Sequence, residues 1–400
     1  MGRSLAWTAW LAGGGAAAAA MLAAVALGQP PAVDPIGDLI SRTDGDFKRD
    51  YLDPLLRASC PPGSDRKEPE AIGLQVATVP LQGLNPFRRD IGELTFVAGF
   101  HLTSADKRFG GLSGLDLRDD GGLLSVSDGG DFVWIDLAAD GLTPKRALIA
   151  GMLDAEGNVL KGKAGADAEG LALNGDVALV SFERNHRVLA YDLGKCAAAA
   201  RGAPIAFGDH SESLAKAFDR AGLTVSNNQG PEGLAITPGW VLLAGLETQV
   251  GEASPVSARP VEGAPEFDLA IGQDAPELVG LDALPSGTGG RNLRLFSLHR
   301  SSSALSSNAI TIVETQLEAT FDQTDLPARV TSEIEERSRS GYRVTSSRVL
   351  AEMNVFVTID NFEGIAARAL PDGRVRLYVI SDDNFSAKQR TLLMIYETRA

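Results

Sequence analysis

A small phrase, carboxylate then glycine then an aliphatic pair, is written three times in this chain: DAEGLAL at 167–173, GPEGLAI at 230–236 and NFEGIAA at 361–367. Each copy leads through a turn into a strand-like hydrophobic run. Aligned on the glycine, LSGLDL (Gly114) joins Gly170, Gly233 and Gly364, and LVGLDALPSG (Gly280) is a fainter copy. Unequal spacing around a constant core is what an antiparallel repeat with variable surface loops produces.

The runs around these phrases are short and rich in Val, Leu, Ile and Phe, separated by Asp-Gly, Asn-Gly and Gly-Gly turns. LLSVSD, VALVSFE, VLLAGLE and VRLYVISDD are examples. Helical periodicity is confined to short candidates at 47–58, 212–220 and 331–337. From residue 72 onward there is room for about six repeats of roughly 55 residues. The expectation is an all-β propeller of six four-stranded blades, whose sheets bury both faces against one another around an axis. Segments 73–79 or 93–100 are expected to pair with 391–397 and close the ring. The glycine of each phrase is expected where neighbouring backbones crowd. A pair of β-sandwiches is the rival architecture and explains the phrase less well. The stretch 251–290, rich in Gly, Ala, Pro and acids, reads as a surface excursion between blades.

Residues 1–28 read as a signal peptide, with Arg3 ahead of an apolar stretch and Ala26-Leu27-Gly28 offering a cleavage site. Left uncleaved, the same stretch would anchor the chain in a membrane. Residues 29–71 read as a linker or N-terminal arm, and 72–400 as the propeller. A periplasmic or secreted location follows, and Cys60 and Cys196 have the option of a disulfide there. The net charge of −15 disfavours nucleic acid. An anionic or ester small molecule is the expected partner, with a cation to mediate if the ligand is itself anionic.

FGGLSGLDLRDDGGLLSVSD, DAEGLALNGDVALVSFERNHRVLAYDL, LFSLHRSSS and DNFEGIAARALPDGRVRLYVISDDNFSAKQRTLLMIYE resemble, in order, successive motifs of the phytase-like proteins ("esterase-like activity of phytase"). The resemblance runs from about 94 to 397. It implies an exported β-propeller that hydrolyses phosphate or carboxylic esters. By extension from better-studied propeller phytases, it also implies calcium held by carboxylates.

The residue before the phrase glycine is Glu169, Glu232 and Glu363 in three copies, Ser113 in the first and Val279 in the faint one. In a propeller one such position falls on one ring, so three carboxylates converge, the oxygen-rich arrangement that calcium takes. Asp128 and Asp382, at strand ends beside them, complete the expected metal set, with Asp167, Asp360 and Asp383 nearby. The same glutamates equally suit pinning backbone N–H groups at blade junctions, and both roles stay open. In SFERNHR, Arg184 suits bidentate capture of an anion and His186 proton transfer near neutral pH. Arg300 after His299 is a second anion-binding candidate. Asn384 joins Arg184 and Arg300 as a substrate contact, in a triplet (Asp382-Asp383-Asn384) that also reads as a plain turn. No G-x-S-x-G elbow and no H-E-x-x-H motif is present, which leaves serine-hydrolase and zinc chemistry without support.

The expected function is therefore calcium-assisted ester hydrolysis: metal ligands Asp128, Glu169, Glu232, Glu363 and Asp382, anion contacts Arg184 and Arg300, and His186 as acid–base. A non-catalytic periplasmic propeller that binds a ligand or protein is the alternative. Lactone hydrolysis is a third, by analogy with other metal-binding propellers.

Overall fold

The computed structural model describes residues 52–205, 229–237, 241–247, 249, 253–258, 267–270, 276–287, 292–303, 306–321 and 340–399. The expected signal peptide, the expected arm up to residue 51 and the helix candidates at 212–220 and 331–337 lie outside them.

The strands run in chain order as β1 (Glu70–Ile72), β2 (Leu74–Thr78), β3 (Asp90–Ile91) and β4 (Leu94–Ser104), then in blade groups. Blade 1 holds β5 (Leu112–Leu117), β6 (Leu123–Ser127), β7 (Asp131–Leu137) and β8 (Pro144–Gly151), with β1 added at its outer edge. Blade 2 holds β9 (Ala168–Asn174), β10 (Val177–Phe182), β11 (Arg187–Asp192) and β12 (Ala203–Ile205). Blade 3 holds β13 (Gly233–Ile236), β14 (Leu242–Gly245), β15 (Ala253–Ala258) and β16 (Phe267–Ala270). Blade 4 holds β17 (Glu277–Ser286), β18 (Asn292–Ser303), β19 (Ser306–Phe321) and β20 (Ser340–Met353). Blade 5 holds β21 (Asn361–Ala369), β22 (Val375–Asp382) and β23 (Thr391–Thr398), completed by β4, β2 and β3.

The protein is a five-bladed propeller, not the six-bladed one that length alone suggests. The surplus chain enlarges existing blades. Blade 4 spends its residues on strands of 10, 12, 16 and 14 residues, and β1 to β4 extend blades 1 and 5. The segment expected to be a surface excursion instead supplies β15, β16 and the inner strand β17. Closure follows the expected route: β4 pairs antiparallel with β23, Leu94 opposite Thr398 and Leu102 opposite Thr391. The outer strand β2 pairs with β4 in the same blade.

All five copies of the phrase lie on the inner strands β5, β9, β13, β17 and β21, each of which contacts the next around the axis. The glycines explain how closely they approach. A methyl group on Gly114 would stand 2.8 Å from the Glu169 carbonyl oxygen. One on Gly280 would stand 2.6 Å from that of Glu363. Apolar layers fill every blade junction; Phe132 and Trp134 of blade 1, for example, pack with Phe182 and Tyr191 of blade 2. Helix α1 (Asp53–Ser59) has Pro54 in its first turn, and the arm buries Leu52 and Leu56 at the junction of blades 2 and 3. Cys60 just beyond it is disulfide-bonded to Cys196, 136 residues away. Closing a loop of that length stabilises by about 4–5 kcal/mol in the chain-entropy picture.

Candidate functional site

Strand register builds the site as two tiers. In four blades the inner strand carries an extra residue at the phrase position: the pairing shifts between Leu112 and Leu115, Val180 and Phe182, Leu278 and Gly280, and Phe362 and Gly364. A bulge re-aims the side chain it carries. The bulged position holds Ser113, Glu169, Val279 and Glu363, with Glu232 at the matching place in blade 3. Glu232 and Glu363 line a narrow axial space, beside Gly114, Gly170 and Val279.

The second tier comes from the end of the second strand of each blade. The N–H groups of Asp128, Glu183 and Glu247 donate to the carbonyls of Gly111, Asp167 and Gly230, at 2.9, 2.9 and 3.1 Å. Arg300 and Asp382 pair with Glu277 and Asn361 at the same register. One residue per blade therefore joins this tier: Asp128, Glu183, Glu247, Arg300 and Asp382.

Between the tiers, oxygens converge in two sets. Ligand atoms of Asp167, Glu169 and Glu183 lie within 4.8 Å of one another, as do those of Glu183, Glu232 and Glu247. Glu183 belongs to both. Asp128, Glu363 and Asp382 join neither set among the described residues. Glu363 is engaged elsewhere. It accepts from Arg300 at 2.5 Å, from Asn361 Nδ2 at 2.8 Å and from Ser113 Oγ at 3.2 Å. Arg300 also donates to Asn361 Oδ1 and lies 3.8 Å from Glu247.

A family model for phytase-like proteins, described as esterase-like activity of phytase, matches residues 107–385. The chain belongs to this phytase-like family. No curated protein matches it. Among solved structures it is similar to a putative oxidoreductase (glucose dehydrogenase) of Thermus thermophilus, at 14% identity, covering 80% of this chain and 100% of that one, TM-score 0.31. It is also similar to the PQQ domain of pyranose dehydrogenase from Coprinopsis cinerea, at 11% identity, 84% and 99% coverage, TM-score 0.36. A third is glutaminyl cyclase of Myxococcus xanthus, at 12% identity, 76% and 96% coverage, TM-score 0.34. Likeness at this level says nothing of chemistry.

In this phytase-like protein the electrostatics of the two tiers are dominated by burial and mutual repulsion. Burial raises Glu183 to about 7, with the Asp167 charge adding to it. Burial also lifts Glu247 to about 7 and Asp382 to about 8, helped by Glu277 and Glu363 respectively. Glu169 and Glu232 are pushed well up by burial, and next by Glu363 and Glu247. Asp128 rises to about 6, chiefly by burial, against the pull of Lys163. Among the described residues, two oxygens of the second tier, Asp128 Oδ1 and Glu247 Oε2, are buried and accept no hydrogen bond, and Glu247 is only 6% exposed. Crowded carboxylates with orphaned oxygens form a donor set that suits a hard cation such as calcium.

The remaining predicted residues are placed as follows. Arg184 has a left-handed backbone (φ 57°), donates through Nε to Asp167 at 2.7 Å and is exposed. His186 is buried, and a methyl group on Gly230 would come 2.8 Å from its Nδ1. His299 is fully buried. Its ring nitrogens face Ser297 Oγ at 2.8 Å and the Pro276 carbonyl at 3.3 Å, and burial lowers it to about 3, so it stays neutral. Asn384 lies in the turn beyond Asp382, its N–H donating to Asp382 Oδ1 at 2.6 Å. Glu183 and Glu247 are the residues that the sequence reading left out of the metal set.

Proposed function

We propose that this chain is a divalent-cation-assisted hydrolase of phosphate or carboxylic esters, acting where the five inner strands converge. The observation that carries the reading is the pair of carboxylate sets sharing Glu183, with the orphaned Glu247 Oε2 at their edge. Asp167, Glu169 and Glu183 would hold one cation, and Glu183, Glu232 and Glu247 offer a second place. Calcium fits the all-oxygen donors, and when bound it would polarise the ester and lower the pKa of water.

The chain's own residues supply the rest. Arg184, tied to Asp167, is the residue that would contact the negatively charged part of the ester. Asp128, titrating near 6 and with an oxygen that accepts nothing, is suited to take a proton from the attacking water near neutral pH. Arg300 is committed to Glu363 and Asn361, so its part is to neutralise the fourth and fifth blades. His186, packed behind Gly230, is a weaker acid–base candidate than Asp128 in this reading. The Cys60–Cys196 disulfide supports an oxidising, exported location.

The test joins calcium calorimetry with turnover of phosphate and carboxylic esters, with and without chelator, in the wild type, Glu169→Gln and Asp128→Asn. Calcium binding that is weakened by Glu169→Gln, with chelator-sensitive turnover lost in both variants, is expected. Calcium binding without turnover of any ester would leave a cation-pinned binding propeller, and no calcium binding at all would overturn the reading.

A further inference from the structure

The turn after β22 puts two residues in succession into the left-handed region, Asn384 at φ 49° and Phe385 at φ 48°. Asparagine tolerates this conformation; a bulky aromatic does not, and such outliers persist where surrounding structure holds them. Here the hold is explicit. Asp383 Oδ1 accepts from the N–H of Phe385 at 3.0 Å and from the N–H of Gly111 in blade 1 at 2.9 Å. Asp383 Oδ2 accepts from Thr391 Oγ1 at 3.0 Å. The Phe385 ring therefore leaves blade 5 and lies over Gly110, Gly111 and Gly129 of blade 1. A methyl group on Gly111 would come 2.6 Å from the ring and would also collide with the orphaned Asp128 Oδ1. Glycine at these positions makes room for a ring edge beside the Asp128 carboxylate.

The ring rests on these glycines and is otherwise open, 48% exposed. The strained backbone thus presents an open aromatic face beside the Asp128 carboxylate. The charge of the site limits what this face receives. Carboxylates outnumber the cations Arg184, Arg300 and Lys163, and Arg300 is already paired. Even with cations bound, a substrate carrying many phosphates would meet repulsion rather than a basic cradle.

The geometry points to Phe385 as a specificity-determining residue: the substrate is an ester with one anionic or uncharged head and a flat apolar group that stacks on the Phe385 ring, not a polyphosphate. This rests on the ester-hydrolase reading of the same site.

The test uses the calcium-loaded protein and two ligands that cannot be hydrolysed, phenylphosphonate and methylphosphonate, titrated by calorimetry. Turnover of a phenyl ester, a methyl ester and inositol hexakisphosphate is followed alongside. The phenyl ligand is expected to bind roughly two- to tenfold more tightly than the methyl one, as aromatic pairing adds that much. The preference should shrink towards one in Phe385→Asn, which suits the left-handed turn, and in Phe385→Leu, which keeps an apolar side chain. The KM for the phenyl ester should rise in parallel. An undiminished phenyl preference in both folded variants, no phosphonate binding, or preferential turnover of inositol hexakisphosphate would each overturn the inference. Phosphonate selectivity that depends on Phe385 without turnover of any ester would instead retain the stacking surface and sink the hydrolase reading.

Discussion

Arg300 of blade 4 donates to Glu363 of blade 5 across 2.5 Å, with both side chains largely buried. The pair spans the sector of the first tier where Val279 stands in place of a glutamate, so it joins blades and offsets charge together. Removing one partner leaves the other as an uncompensated buried charge, which costs about 3–5 kcal/mol. Arg300→Met is therefore expected to lower the unfolding free energy by that order at pH 8. Arg300→Met combined with Glu363→Gln should recover part of the loss. Urea unfolding of the single and double variants checks this; additive losses would mean the two residues are not coupled.

A second pair of carboxylates sits on the inner strands, two residues past the phrase glycine. Asp116 accepts from the N–H of Leu173 on the next blade at 2.6 Å, and Asp282 accepts from that of Ala367 at 2.6 Å. Each also accepts from its own following N–H at 2.6 Å. Burial raises Asp282 to about 7, and burial together with the Asp282 charge raises Asp116. The folded state then holds these protons more tightly than the unfolded chain does. Their contribution is fully present below about pH 4 and is lost as pH rises through 7. Asp282→Asn should flatten the fall in stability between pH 5 and 8, measured in chelator. It should also cost about 1–3 kcal/mol at pH 5, because an amide nitrogen replaces one acceptor. A slope equal to that of the wild type would assign the pH dependence to other groups.

Much of the architecture was legible because the repeated phrase records a geometric need. A glycine is required where Gly114 meets the Glu169 carbonyl and Gly280 meets that of Glu363, so the phrase marks each inner strand. Length misleads on the blade count because it does not report strand length: β19 alone spends 16 residues, and β1 to β4 make no blade of their own. The first tier was legible for the same reason as the blades. The second tier left a signal too, since LLSVSD, VALVSFE and VLLAGLE each end on the acid that joins it, and VRLYVISDD carries Asp382. That Glu183 and Glu247 fall at one level depends on cross-strand register and, in blade 2, on the bulge ahead of Gly170. Neither is visible along a single strand.

Glu183 stands in both carboxylate sets, so its removal separates a cation site from structural pinning. Its carboxyl is raised to about 7, mainly by burial and then by Asp167, so ionisation opposes folding as pH climbs past neutrality. In chelator at pH 8, Glu183→Gln is expected to melt at a higher temperature than the wild type. Its calcium affinity should fall about tenfold or more, because a charged ligand is lost from a hard-cation site. Melting curves with and without calcium decide the matter. A variant that is less stable in chelator, with calcium affinity intact, would make Glu183 a structural pin.

One close inter-blade approach ties fold to site. Gly170 donates its N–H to Ser181 Oγ at 2.9 Å, and a methyl group there would stand 2.5 Å from that oxygen and 2.6 Å from the Glu232 carbonyl. The backbone cannot yield without moving blade 3 outward, and overpacking of this kind costs about 1–3 kcal/mol. Glu232 would move with its carbonyl, out of the set it shares with Glu183 and Glu247. Gly170→Ala should therefore lower both the melting temperature and calcium affinity, although residue 170 offers no side-chain ligand. Gly165→Ala, with open space around its Cα, is the control expected to leave both unchanged. If Gly170→Ala lowered stability but left calcium affinity intact, the position of Glu232 would not depend on the blade junction.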